Sequence, residues 1–470
     1  MSANRSSPPQ SGRPNILFIM SDDHASHAIS AYGSRLNVTP HMDRLAAEGM
    51  RLENCFCTNS ICSPSRASIL TGTYSHVNGV LTLREGLDGR RSNVAKLLQA
   101  GGYQTAIVGK WHLGHGGVHD PTGFDYWNVL PGQGKYHDPE LIELGERKTV
   151  RGYATDVITD LALDWLDRRD RQRPFCLLLH HKAPHRSWEP PARYASLYEE
   201  AELPYPPTFD DDYAGRAPAA AAATMRVEHD LDERDLKVPP PPGLSGPALK
   251  RWKYQRYIKD YLRCVASLDD NVGRVLEYLD AEGLAEDTVV IYTSDQGFFL
   301  GDHGWYDKRF FYEESLRMPF LVRYPREIPP ASADQHIVLN VDFPSLFLDY
   351  AGLDSPAEMQ GRSFRSILRG DPPTDWRRSM YYRYFMHRDP NHNVYAHYGI
   401  RTDRYKLIYY YETEPDPPAW ELFDLQQDPA ELNSVYHHPQ YQDVVRDLKA
   451  ELAALRAAVG DTTNPWPDPQ

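Results

Sequence analysis

Four short apolar runs constrain the fold more than any other feature of this 470-residue chain: NILFIM (15–20), TAIVG (105–109), FCLLLH (175–180) and TVVIYT (288–293). Each is continuously apolar and does not alternate, so each predicts a strand covered on both faces. Helical stretches lie between them. That order predicts an α/β sandwich with a large mixed, mostly parallel sheet between helices. The residues after each run are strongly polar: Ser21-Asp22-Asp23-His24, Lys110-Trp111-His112, His181-Lys182-Ala183-Pro184-His185 and Ser294-Asp295-Gln296-Gly297. In open α/β sheets ligands bind at the carboxyl ends of the strands. Four such ends predict one shared site.

The rest of the chain divides around these runs. Residues 1–14 read as a flexible polar tail, 15–375 as the main domain and 376–470 as a smaller C-terminal subdomain. Residues 197–249 break the rhythm with LPYPPTFDDDY, five alanines at 219–223 and four prolines at 239–242. They predict either a surface insertion folded over the site or a plain loop. A long helix is expected over 251–283, where apolar residues recur at three and four. After 375, SMYYRYF, YGIRTDRYKLIYYY and WELFDL are aromatic-rich and alternating. They predict a small antiparallel sheet, with a closing helix near 441–459.

A formal charge of −14 argues against nucleic acid as partner, since phosphate contacts need concentrated Lys and Arg. An anionic substrate would have to be met by local positive charge. The first fifteen residues lack the apolar core of a secretory signal, and no window reaches the length of a membrane span. As written, the sequence predicts a soluble cytoplasmic chain without a membrane partner; removal of a leader would make it periplasmic or secreted. The five cysteines do not resemble a disulfide framework, and Cys55 and Cys57 have no second pair at zinc spacing. Both are expected to be core thiols.

The carboxylates Asp22, Asp23 and Asp295, with the amide of Gln296, offer oxygen ligands of the kind that suit Ca²⁺ or Mg²⁺ better than zinc. Adjacent aspartates also occur as caps and solvated turns, so the pair gains weight from SDQG closing a second strand. Arg66, Lys110, His112, His185 and Lys308 sit in loops at expected strand ends, where together they would hold a tetrahedral oxyanion. Cys62 precedes a helical stretch, a position that lowers a thiol pKa. It reads either as a nucleophile or as a buried structural cysteine.

The segment CSPSRASILTG (62–72) resembles the signature of the type I sulfatases, whose signature cysteine is oxidised to Cα-formylglycine. NILFIMSDDH, GKWHLG, HKAPH and SDQGFFLGDHGWYDKRFFYEESLRMP follow the same family's order, so the resemblance covers most of the chain. It implies an alkaline-phosphatase-like α/β fold with a small C-terminal sheet subdomain. It also implies a Ca²⁺ ion held by Asp22, Asp23, Asp295, Gln296 and the formylglycine derived from Cys62. Gln296 stands where many sulfatases have Asn; it keeps the amide oxygen on a longer arm. Arg66 would hold the formylglycine hydrate, Lys110 and His112 would orient it, and His185 and Lys308 would bind sulfate and serve the leaving alcohol. One hydroxyl of the hydrate attacks sulfur and the second expels sulfate, a step that neither a thiol nor a serine can supply. A maturing enzyme, either formylglycine-generating or anaerobic, is an implied partner.

The stretches SDQGFFLGDHGWYDKRFFYEE and HKAPHRSWEP most resemble bacterial sulfatases acting on 6-O-sulfated N-acetylglucosamine or related sulfated glycans. Sugar contacts are expected among His24, His115, His137, Arg186, Trp188 and His303. Two other readings stay open: a phosphomonoester or phosphodiester hydrolase of the same superfamily, and a non-catalytic sulfoglycan-binding protein in which Cys62 remains a thiol.

Overall fold

In the computed structural model, residues 12–411 and 419–462 are described. Residues 1–11 of the expected tail, and residues 412–418 and 463–470 of the expected C-terminal subdomain, lie outside them. The four apolar runs form adjacent parallel strands, in the spatial order Thr288–Ser294, Asn15–Ser21, Phe175–His180 and Gln104–Lys110. Tyr126–Leu130 adds a fifth parallel strand, and Glu140–Glu143 and Glu146–Thr149 extend that edge antiparallel. On the opposite edge Phe320–Arg323 runs antiparallel to both Thr288–Ser294 and Met50–Leu52, and Ser332–Asp334, parallel to Met50–Leu52, completes ten strands.

The continuous runs are explained by two cores. Leu17, Ile19, Leu177, Leu179, Val290 and Tyr292 face one side and pack with helices Ala154–Arg168 and Gly246–Ala281. The latter presents Leu268, Val272, Val275, Leu276 and Leu279 at three- and four-residue spacing. Ile16, Phe18, Met20, Leu178 and Ile291 face the other side. There Phe18 meets Phe347 edge-on at 5.2 Å, in helix Phe343–Tyr350. The apolar residues of those strands are therefore shared between the two cores.

The C-terminal sheet is a meander of Ser379–Tyr384, His397–Thr402, Tyr405–Tyr410 and Ala419–Asp424. Helix Gln442–Ala458 closes on it through Val445, Leu448 and Leu452. The segment 197–249 carries helices Pro218–Ala222 and Glu233–Leu236 and buries Phe209, Met225, Leu231 and Leu236 against the main core. All five cysteines are buried free thiols. Among the described residues no helix is long and apolar enough to cross a membrane.

One backbone position fixes where the site begins. Gly109, with φ +106, precedes Lys110 and lies opposite His180 in the ladder, and an added Cβ would overlap the His180 carbonyl oxygen. Gly109→Ala is expected to lower stability by about 2–3 kcal/mol, combining left-handed strain with a backbone clash. An unchanged midpoint in denaturant unfolding would defeat that account.

Candidate active site

The floor of the site is built at the strand ends, as register dictates. Ser21 pairs with Ser294, so Asp22 and Asp295 leave adjacent strands side by side. Asp23 takes a left-handed conformation, φ 67, and its backbone N–H donates to Asp295 Oδ1 at 3.2 Å. Cys62 opens helix Cys62–Thr71, every residue of which is buried. Its thiol is 1% exposed. Burial raises its pKa, opposed by Lys110 and Lys308.

Cations interleave the three carboxylates. Arg66 donates from Nε to Asp295 Oδ2 and from Nη1 to the Lys110 carbonyl, both at 2.8 Å. Lys110 pairs with Asp22 and also donates to Gln133 Oε1. Lys308 reaches Asp23 at 2.7 Å, and His185 Nε2 stands 3.7 Å from the same carboxylate. Burial opposes ionisation of Asp22, yet Lys110, His185, Arg66 and Lys308 hold it well below the usual range. For Asp23 and Asp295 burial wins, assisted by the neighbouring carboxylates, and they rise to about 6 and about 7. His112 and His185 are driven well below the usual histidine value, first by burial, with Lys110 acting in the same sense. Both are neutral imidazoles.

These residues fit a hard cation. Asp22 Oδ1 and Gln296 Oε1 are buried and accept no hydrogen bond from any described residue. Asp22, Asp23 and His185 offer ligand atoms within 4.8 Å of one another. Unsatisfied buried acceptors are costly alone and natural as ligands.

Above the floor lies a cleft of about 710 Å³ whose lining includes Cys62, His185 and Lys308. Of the six residues expected to touch sugar, His137 and Arg186 line it. Arg186 is held by a bidentate pair with Asp235, 2.6 Å for each bond, from the 197–249 segment. The other four are not part of the lining, and this corrects their expected place. His24 is buried with Nδ1 2.5 Å from the Tyr292 hydroxyl. Trp188 is fully enclosed by Tyr257, Phe298 and Tyr306. His303 is buried with Nδ1 2.9 Å from Asp211. His115 is exposed outside the cleft. Proximity in sequence to the site motifs does not set side-chain direction, and the large rings went to the apolar core.

The cleft also gathers residues that sequence reasoning passed over: Gln133, Tyr136, Lys182, Asp307, Arg309 and His392. Asp307 and Arg309 flank Lys308, and Lys182 lies inside HKAPH, so both motifs carried the signal. His392 comes from HRDPNHN (387–393), a polar interruption between two aromatic strands. It is 2.8 Å from Asp389 and 3.3 Å from Asp307.

Comparison with known proteins decides the family. A model of the sulfatase family matches residues 14–353, and a model of the N-sulphoglucosamine sulphohydrolase C-terminal region matches 301–458. The chain belongs to the sulfatase family. It is a sulfuric ester hydrolase with the alkaline-phosphatase-like fold that its sequence implied. This sulfatase is 42% identical over 481 residues to an N-acetylglucosamine-6-O-sulfatase of Bacteroides thetaiotaomicron, covering 93% of the chain and 85% of that relative. Its structure is similar to that of BT4656 in complex with its substrate D-glucosamine-2-N,6-O-disulfate, with TM-score 0.92 and 41% identity over 96% of this chain and 99% of the other. A phosphonate monoester hydrolase from Silicibacter pomeroyi shares the fold at TM-score 0.78 and 22% identity, covering 96% of each chain.

Proposed function

We propose that this sulfatase removes the 6-O-sulfate of a glucosamine unit in a sulfated glycan, using formylglycine made from Cys62. The observation that carries the reading is the placement of Cys62 at the foot of a buried helix, between oxygen ligands for a hard cation and a ring of ammonium and imidazole groups. The similarity to the Bacteroides 6-O-sulfatase supports the sugar and the position.

Asp22, Asp23, Asp295 and Gln296 would hold Ca²⁺, with Mg²⁺ as the alternative, and the ion supplies Lewis acidity and positive charge at the sulfate. The hydrated formylglycine supplies an attacking hydroxyl and a second hydroxyl for release of sulfate. Arg66, fixed between Asp295 and the Lys110 carbonyl, keeps residue 62 in register with both. Lys308 and Lys110 face the sulfate oxygens and offset charge as the ester bond breaks.

The histidines take different parts because their hydrogen bonds differ. His185 Nδ1 is 2.6 Å from the Arg186 carbonyl, which can only accept, so Nδ1 carries a proton and Nε2 faces the floor. Arrival of an anionic ester favours the imidazolium, which then donates from Nε2 to the leaving alcohol. Ser63 Oγ donates to the His112 carbonyl at 2.7 Å and lies 3.3 Å from His112 Nδ1. Ser63 therefore accepts from Nδ1, and His112 Nε2 is left bare to take a proton.

The test is release of sulfate from N-acetylglucosamine 6-sulfate against its 3- and 4-sulfated isomers, with 4-nitrophenyl phosphate as the competing class. Turnover of the 6-isomer alone is expected; faster turnover of phosphate would overturn the reading. Chelation of Ca²⁺ is expected to abolish turnover and also lower the melting temperature, because a ligand bound to the folded state alone stabilises it and its removal leaves Asp22, Asp23 and Asp295 with only Arg66, Lys110 and Lys308 as counter-charges. An unchanged melting temperature after chelation would remove the ion from that set of oxygens.

A further inference from the structure

Helix Glu233–Leu236, in the 197–249 segment, grips the turn after His185 at two points. At the first, Asp235 accepts from Arg186 Nε and Nη2, both at 2.6 Å. At the second, Lys237, the residue that ends the helix, donates from Nζ to the Trp188 carbonyl at 2.9 Å. Both anchors are themselves fixed. Asp235 is fully buried and closes a capping box, in which its Oδ2 accepts from the Asp232 backbone N–H at 3.1 Å. Lys237 also pairs with Asp260 at 2.7 Å, in the long helix Gly246–Ala281. The turn that begins at His185 is therefore held from the far side of the cleft wall by a segment remote in sequence.

The grip leaves one part of Arg186 free. The guanidinium lies over the Tyr306 ring, 4.9 Å from Cζ to centroid, and Asp235 takes one edge. Among the described residues its other amino group, Nη1, has no acceptor, and Arg186 lines the cleft beside His185. Its charge is already met, by Asp235 and by Asp232 at 3.7 Å. A compensated guanidinium suits a neutral acceptor better than a further anion. Stacked and forked, it also has little freedom left to lose when that acceptor arrives.

We propose that Asp235 is a positioning residue for the substrate: it holds Arg186 so that Nη1 donates to a neutral oxygen of the sugar, a hydroxyl or the acetamido carbonyl, while the sulfate ester occupies the floor. The inference rests on the sugar reading above and deepens it, by giving the 197–249 segment a part in sugar recognition. None of the floor's own residues comes from that segment. The contact forms when the sugar binds and persists through the reaction, so it acts on KM more than on kcat.

The experiment compares Asp235→Asn with the parent on two substrates. One is whichever sulfated N-acetylglucosamine isomer the parent cleaves fastest; the other is 4-nitrophenyl sulfate, which has no sugar for Arg186 to meet. Asp235→Asn keeps the shape and one acceptor oxygen but loses the bidentate carboxylate. KM for the sugar sulfate is expected to rise about 10–100-fold, the scale of a displaced charge-assisted contact. The ratio of kcat/KM for the sugar to that for the aryl ester should fall at least about tenfold. Loss of folded protein lowers both activities together, so a merely structural Asp235 would leave that ratio alone. Replacing Arg186 by Gln as well, which leaves no buried carboxylate without its cation, is expected to lower the ratio little further, because Asp235 acts through the guanidinium. An unchanged ratio in Asp235→Asn, or a second loss as large as the first on adding Arg186→Gln, would overturn the proposal. A parent that cleaves 4-nitrophenyl sulfate and none of the sugar sulfates would overturn the sugar reading, and with it the ligand assigned to Nη1. If an isomer other than the 6-sulfate is cleaved fastest, the 6-O reading falls and the Asp235 comparison is made on that isomer.

Discussion

Cys62→Ala is expected to reduce sulfate release on the order of 10⁶-fold, the scale on which removal of a catalytic nucleophile acts, while the protein still folds. The side chain at residue 62 sits between Lys110, Lys308 and the carboxylates of Asp22 and Asp295. As a thiol it is a poor substitute for a hydrate, because burial keeps it protonated. Losing one small side chain leaves a modest void, so the melting temperature should change little. Cys62→Ser adds a sharper outcome: its single hydroxyl can accept the sulfuryl group but cannot expel it, so at most one equivalent is consumed per protein. Mass measurement of the peptide containing residue 62 checks the premise, and near-parental activity in Cys62→Ala would end the mechanism.

Arg66→Ala should be the most damaging single change to stability, at about 3–5 kcal/mol. Arg66 is 1% exposed and makes a 2.8 Å bond to Asp295, itself fully buried. Removing the guanidinium leaves that carboxylate beside Asp22 and Asp23 with one fewer counter-charge, and it also frees the Lys110 carbonyl. The result should be a large drop in denaturation midpoint together with loss of activity. Arg66→Lys restores a charge but not the two-directional fork, so it should recover stability only in part. A melting temperature unchanged in Arg66→Ala would contradict the electrostatic account of the floor.

The central strands were readable because burial on both faces leaves a mark that a single sequence can carry: no polar residue interrupts NILFIM or TVVIYT. The floor was readable for a related reason, since a strand end has one place to go and its next two residues go with it. The cleft walls were not, because they depend on which side of a loop faces inward. Trp188 and Lys182 flank His185 by three residues each, yet the indole went to the core and the ammonium to the cleft. Nothing in HKAPHRSWEP alone distinguishes the two. Likewise Asp235 could not be tied to Arg186 from sequence, since their pairing needs the 197–249 segment to fold back across the main domain. His392 was hidden by composition, in a stretch whose neighbours are explained by sheet packing.

The complete burial of the helix that begins at Cys62 sets a clock on how the protein is made. A maturing enzyme cannot take hold of a segment whose every residue is buried and whose first residue opens only onto the floor of the cleft, so conversion of Cys62 must precede closure of the sheet over it. Closure needs Asp295, 229 residues downstream of Arg66. At a synthesis rate of about 5–20 residues per second, that interval is roughly 10–50 s. A host that translates faster than its maturing enzyme works would accumulate folded, inert protein whose defect is permanent, and slowing translation would raise the active fraction without any change of sequence.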